Sequence, residues 1–418
     1  MNNQLLNLSR SQQLQVQGEQ LIAGFTQSMM KKPEQFSPGA FPVYLAKGDG
    51  AYVTDVDGNQ YIDFICGLAA NTLGHNYPVV VQAITENLSN GLIHSLPTPI
   101  EVTTAKTLAE TIPGAEMVRF FKTGADANSA AVRLARHATG RDEIMTVGYN
   151  GWHDHYMFDT PGVPKVIASL THRMPLFAPS DEAAIFEKIA QRGDKLAAVL
   201  LSVPYNRVLD KTFVQQLRDV CSKSGVVFVW DEVVTGFRLA PGGAQEFFGV
   251  QADLVTLSKG IAAGMPLSAV AGKRSLMSKL NALQVSTTFG GEMLSLAVCD
   301  AVLKEYKRIG FTKHIAKLGA LLKAEVNQIS AQLDTPLRVV GYDPIPMFLF
   351  ANDPQEHVKL AIPFLAEMAK RGILLRREVN FICGVHTQEH INKTITAVKS
   401  ALIAMKEAGL FNRADVQA

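Results

Sequence analysis

Between about residue 100 and residue 275, apolar residues fall in short continuous runs separated by segments of helical spacing. The runs are Val118–Phe121, Ile144–Val147, Ala198–Val203, Val226–Trp230, Leu254–Leu257 and Leu267–Ala271. A strand with one solvated face alternates polar and apolar residues, so continuous runs indicate strands buried on both faces. Helical stretches such as Asn128–His137 and Phe213–Ser222 lie between several of them, and strand–helix alternation predicts a mostly parallel sheet between helices. The flanks read differently. Leucines at 5, 6, 8, 14 and 21 among polar residues predict a loosely amphipathic helix over about 2–31, broken by Pro33, Pro38, Gly39 and Pro42. In Ala51–Phe64, two alternating runs flank Asp57-Gly58-Asn59, a turn that admits positive φ and predicts a β-hairpin. Beyond about residue 300, Ala301–Arg308, Lys317–Leu333, His357–Arg371 and Glu389–Ala408 have helical spacing around short strands near Leu337 and Met347. The expected organisation is an α/β chain in three parts. Residues 1–65 form an N-terminal segment that packs with the small domain, 66–300 a large domain, and 301–418 a smaller α+β domain. No internal repeat or long linker separates them.

Composition narrows the class. The 418 residues are 47% hydrophobic, ample for a buried core and too apolar for a disordered chain. Forty Lys and Arg against 38 Asp and Glu leave no basic excess of the kind nucleic-acid binders carry. The four cysteines are widely spaced and form no CxxC pair, so neither a disulfide framework nor a zinc site is indicated. The polar, Gln-rich start does not read as a signal peptide. The longest apolar runs fall far short of the roughly 20 residues that span a bilayer. A soluble, cytoplasmic protein is expected.

In open α/β sheets, ligands bind beyond the carboxyl ends of the strands, so the residues after each run are the candidates. After Val118–Phe121 comes Lys122-Thr-Gly-Ala-Asp-Ala-Asn128, opening a helix. Its first amides lack internal partners and Gly124 permits close approach, which suits a phosphate. An ordinary capped turn, with Thr123 or Asp126 as cap, is the structural alternative. After Val226–Trp230 come Asp231 and Glu232, two carboxylates that are costly to bury without partners. A salt bridge to Arg238 would be the plain explanation. After Leu254–Leu257 comes Ser258-Lys259-Gly260, a lysine among small residues. In such a place a lysine forms Schiff bases, unless it simply escapes to solvent. Together, a phosphate cradle, a buried aspartate and such a lysine are the three groups that pyridoxal phosphate requires.

The segments Asp231-Glu-Val-Val-Thr-Gly-Phe-Arg238, Leu257-Ser-Lys-Gly260 and Ala131-Val-Arg-Leu-Ala-Arg136 resemble the class III aminotransferases of fold type I. Within them the chain looks most like the glutamate-1-semialdehyde aminomutase branch, from about Gly39 to the carboxyl-terminal helices. The resemblance implies a large domain with a mostly parallel sheet and a small α+β domain built from both termini. It implies pyridoxal 5'-phosphate, with pyridoxamine phosphate as its aminated form, held by Lys259 as a Schiff base and by Asp231 at the pyridinium nitrogen. Val233 and Tyr149 would cover the two ring faces. Thr123, Gly124 and Ala125 would hold the phosphate, and Asn150 would lie beside the cofactor. Thr288 would reach the phosphate of a neighbouring subunit, so a homodimer with shared active sites is implied. The partners would be a small amino donor, such as glutamate, and an aldehyde or ketone acceptor, with no nucleic acid or membrane.

Three positions depart from the family pattern. The usual Ser-Gly-Thr-Glu-Ala is Thr123-Gly-Ala-Asp-Ala127, Tyr-His-Gly is Tyr149-Asn150-Gly151, and Glu-Pro is Val203-Pro204. The lost His and Glu lie near the cofactor ring in relatives and form a matched change. The departures argue against a housekeeping aminomutase, and Gly151-Trp-His-Asp154 with Gly290-Gly-Glu292 resembles branch members that aminate sugar-like or specialised carbonyl compounds, so such an aminotransferase is expected, with glutamate-1-semialdehyde 2,1-aminomutase as the alternative. Trp152, His153 and Glu292 are candidate substrate contacts, and Arg376, Arg377 or Arg238 could grip a substrate carboxylate by a two-pronged bond. A remoter reading takes His153 and His155, completed by Asp154 or His172, as ligands of a metal-dependent hydrolase. Catalytic zinc normally takes three protein ligands, so no metal site is expected. A paralogue that binds the cofactor without turnover is disfavoured by the intact Lys259 and Asp231. No GxGxxG follows a strand, which argues against a dinucleotide-dependent dehydrogenase.

Overall fold

The computed structural model describes residues 6–411. The chain divides into two compact units, one formed by Pro78–Lys313 and the other by the residues on either side, through Tyr77 and from His314. The first holds a seven-stranded sheet. In spatial order its strands are Met117–Phe121, Ser268–Gly272, Leu254–Leu257, Val227–Asp231, Leu196–Leu201, Glu143–Val147 and Thr171–Met174. Only Ser268–Gly272 runs antiparallel to its neighbours. The expected parallel sheet is therefore present, and all six apolar runs are strands. The added strand, Thr171–Met174, sits at the sheet edge, where one face meets solvent and His172 and Arg173 are tolerated.

Helix Gly124–Thr139 crosses the centre of this unit. Its buried face is built mainly of alanines (125, 127, 130, 131 and 135) with Asn128, Val132 and Leu134, small enough to bring the helix close to the sheet. Gly140 ends it in the left-handed region, at φ 69°.

The second unit draws on both ends of the chain, as the fold class requires. The hairpin forms as expected, with strands Tyr52–Asp55 and Gln60–Asp63. Asp55 closes the turn by accepting from the amides of Asp57 and Asn59, and Gly58 takes φ 90°. Strands Leu45–Asp49 and Ile373–Leu374 complete a four-stranded sheet, the last running parallel to Gln60–Asp63. The amino-terminal helix is shorter than expected, Ser9–Leu21, and residues 1–5, including Leu5, lie outside the described residues. Its buried positions are Ser11 and Gly18, while Leu21 is 83% exposed. Among the described residues, no helix is long and apolar enough to cross a membrane.

Candidate active site

Four segments of the larger unit meet beyond the carboxyl ends of its parallel strands. The first follows Met117–Phe121. Thr123 caps helix Gly124–Thr139: its hydroxyl accepts from the Asp126 amide, and the Asp126 carboxylate accepts from the Thr123 amide. The capped turn is present, and an anion cradle on these residues would share it with the cap. The reciprocal cap uses the donors of Thr123 and Asp126 and leaves the amides of Gly124 and Ala125, which have no intrahelical acceptor. A Cβ at Gly124 would stand 2.8 Å from Val233 Cγ2 and 3.0 Å from Cγ1, so the turn and Val233 touch. Gly124→Ala is expected to displace Val233 at an overpacking cost of about 1–3 kcal/mol. Its expected signature is weakened pyridoxal phosphate binding in equilibrium dialysis, and unchanged affinity would refute this packing.

The second segment follows Val227–Asp231. Asp231 is 3% exposed, and its Oδ2 accepts from Asn128 Nδ2 and Asn150 Nδ2, each at 2.8 Å. Its Oδ1 accepts from the Val233 amide at 3.1 Å. Burial pushes the carboxyl above its ordinary range, against the pull of the Asn150, Val233 and Asn128 hydrogen bonds and the charge of Lys259. The neighbouring Glu232 is 1% exposed and accepts from Thr235 Oγ1 at 2.6 Å and the Gln245 amide at 3.1 Å. Burial raises it from 4.5 to about 7, opposed by the Ala244 amide, Thr235 and Gln245. Because this folded value lies above the unfolded one, the folded state holds the extra proton between them. Stability from this group is full below about 4.5 and is lost as pH rises through about 7. Glu232→Gln is expected to flatten this fall, read as a smaller drop in Tm between pH 5 and pH 8; an unchanged drop would assign the pH dependence elsewhere.

The third segment is Ser258-Lys259-Gly260. Lys259 has φ 47°, a strained conformation for a residue with a side chain, and it opens the short turn Lys259–Ala262. Gly260, Ile261 and Ala262 are buried around it, and Tyr306 Oη donates to the Gly260 carbonyl at 2.5 Å. The fourth segment is the turn after Glu143–Val147. Tyr149 is 61% exposed and Asn150 is buried. A Cβ at Gly151 would lie 3.0 Å from that of Ala125, which sets this turn against the start of the cradle helix.

Other candidates have partners that give them structural work. Glu292 caps helix Met293–Ile309, accepting from Leu294 and Ser295 amides, and pairs with Lys122 at 3.0 Å. Thr288 lies exposed in the turn before that helix. His153 bonds Ser129 Oγ through Nδ1 at 2.8 Å, and Trp152, 69% exposed, meets the His153 ring edge-on. His172 pairs with Glu143 at 2.8 Å. Among the described residues no group of three or more His, Cys, Asp or Glu converges as a metal site. In the other unit, Arg376 and Arg377 both grip Glu378, at 2.8 and 2.9 Å, so the two-pronged carboxylate contact has an internal occupant. That unit also contains a cavity of about 370 Å³ lined by Phe25, Phe36, Phe41 and Leu68, with Asp63 and His75 as its polar pair. Its walls come mostly from residues 22–45 and 63–75, with Leu374 from the far end of the chain.

The corner made by the four segments fits a ring that carries a phosphate and a protonated nitrogen. Two helix-start amides without intrahelical acceptors could take an anion, and a buried carboxylate with three of its roughly four acceptor positions filled has one left for a cation. A lysine completes the set, and Gly124 leaves room that a side chain would take.

The chain matches the family described as aminotransferase class-III over residues 36–402. It is similar to a glutamate-1-semialdehyde 2,1-aminomutase of Methanobrevibacter smithii, 30% identical, covering 92% of this chain and 100% of the relative. It is also 33% identical to a 2'-deamino-2'-hydroxyneamine transaminase of Streptomyces kanamyceticus, covering 88% of this chain and 93% of that one. A solved structure of a transaminase with PLP bound superposes with a TM-score of 0.87 at 26% identity, covering 97% of this chain and all of the other. With the family matched over most of its length, the chain belongs to the class III aminotransferases.

Proposed function

We propose that the protein is a pyridoxal phosphate-dependent aminotransferase that moves an amino group from a donor such as glutamate to an aldehyde or ketone. The observation that carries this reading is the meeting of Lys259, Asp231 and the open amides of Gly124 and Ala125 at one corner of the sheet. When bound, pyridoxal phosphate supplies an electron sink for the carbanion that forms at the substrate carbon. Lys259 would hold it covalently through Nζ and, once released, move the proton at the substrate carbon. Asp231 would accept the ring N–H on its remaining acceptor position. Gly124, Ala125 and the Thr123 hydroxyl would bind the phosphate, with Val233 and Tyr149 against the ring faces. The exposed faces of Tyr149 and Trp152 suit a sugar-like acceptor, whose apolar ring face packs on aromatics.

A homodimer is part of the proposal. Leu92, Ile93, Leu96, Val102 and Phe289 are each at least 42% exposed, and the Met293 amide donates to the Leu92 carbonyl, which ties the Thr288–Phe289 turn to this apolar face. Four buried, unbridged cysteines agree with a reducing, cytoplasmic setting.

The purified protein should show a visible absorption band that bleaches when glutamate is added, with one equivalent of the keto product released. A band that no amino donor bleaches would contradict transamination from an external donor. The second reading, 2,1-aminomutase, is supported by the similarity to enzymes of that name. It predicts isomerisation of glutamate-1-semialdehyde with no second substrate.

A further inference from the structure

We propose that Asn128, Asn150 and Thr256 form a neutral clamp that positions Asp231. The proposal rests on the pyridoxal phosphate reading. Thr256 lies opposite Asp231 on the adjacent strand, and its hydroxyl donates to Asn128 Oδ1 at 2.6 Å. The other end of that amide, Asn128 Nδ2, reaches the Asn150 carbonyl at 2.7 Å. A carbonyl can only accept, so these two partners settle which way the amide points. The second Nδ2 proton then goes to Asp231 Oδ2, where Asn150 Nδ2 also donates. Asn150 Oδ1 is buried without a hydrogen-bond partner, so the side chain's bonding serves the carboxylate alone. Asn128, Asn150, Asp231 and Thr256 are each at most 3% exposed.

The consequence is geometric and electrostatic. Oδ2 is filled by two amides and Oδ1 by one, so the remaining acceptor position is on Oδ1, and the ring nitrogen is directed there. No member of the clamp titrates near neutral pH. The titratable groups that act on or feel Asp231 are Lys259, Glu232, Tyr149 and Tyr156. An imidazole at position 150 would change charge near pH 6.5, whereas the amide holds the same field across the neutral range.

The test loads the full-length protein with pyridoxal phosphate labelled with ¹⁵N in the ring and follows the nitrogen's chemical shift from about pH 6 to 9, a range that spans an ordinary imidazole pKa. The native shift should be that of a protonated ring and stay flat. Asn150→His should retain the cofactor but introduce an inflection between about pH 6 and 8. Asn128→Ala should lower cofactor affinity about tenfold or more, as expected on losing a hydrogen bond to a charged group, and move the signal toward the unprotonated ring. Variants that lower only Tm and affinity while the nitrogen signal stays native would overturn the clamp and leave the cofactor assignment standing. Failure of the native protein to bind the labelled cofactor would overturn both.

Discussion

Lys259→Ala is expected to remove turnover by about 10⁴-fold or more while the protein still folds and still holds pyridoxal phosphate non-covalently. The size follows from the two jobs proposed for Nζ. One is the covalent link, and the other is proton movement at the substrate carbon, which alone contributes about 10²–10⁴-fold. Retention follows because the other proposed contacts would be made elsewhere, by Gly124 and Ala125 at the phosphate and by the carboxylate of Asp231. Lys259 sits at φ 47°, so alanine inherits a strained backbone and little stability is expected to change in either direction. Single-turnover assays and a thermal melt separate the cases. Normal turnover in the variant would remove Lys259 from the chemistry, and a collapsed melt would mean that the lysine is structural.

Asp231→Asn is expected to cost turnover about 10²–10³-fold, the range for losing one preorganised electrostatic contact, and to weaken cofactor binding. The direction can be derived from the clamp. Asn128 and Asn150 both present N–H to Oδ2, so an asparagine at 231 must turn its oxygen toward them. Its NH₂ then replaces Oδ1, facing the Val233 amide and the position left for the ring nitrogen. A donor meets a donor, and the charge that favours a protonated ring is gone. Wild-type turnover in Asp231→Asn would reject the assigned pairing.

How much of this was legible in the sequence follows from where each signal lies. The sheet could be read because strands buried on both faces must be continuously apolar, as Leu196–Leu201 is. Thr171–Met174 could not, because an edge strand tolerates His and Arg and shows no run. Helix Pro78–Leu88 opens with Val79-Val80-Val81, β-branched residues that imitate a strand, although Val81 is exposed and Ala83 is the buried position of the helix. Lys259, Asp231 and Gly124 stood out because each follows an apolar run at the end where ligands bind. Asn128 and Thr256 were missed as members of the site because they lie inside a helix and a strand. The available signal was a short polar interruption in each stretch of small or apolar residues, Asn128-Ser129 between Ala127 and Ala130, and Thr256 between Val255 and Leu257. Glu292, Arg376 and Arg377 show the opposite limit. Their partners Lys122 and Glu378 decide what they do, and only the folded chain brings Lys122 to Glu292 across 170 residues.

The most direct test of the central claim is peptide mass spectrometry after borohydride reduction, which makes a lysine–cofactor linkage permanent. The peptide containing Ser258-Lys259-Gly260 should carry a pyridoxyl phosphate adduct, and the Lys259→Ala protein should lack it. An adduct on a different lysine, or none after incubation with pyridoxal phosphate, would contradict it.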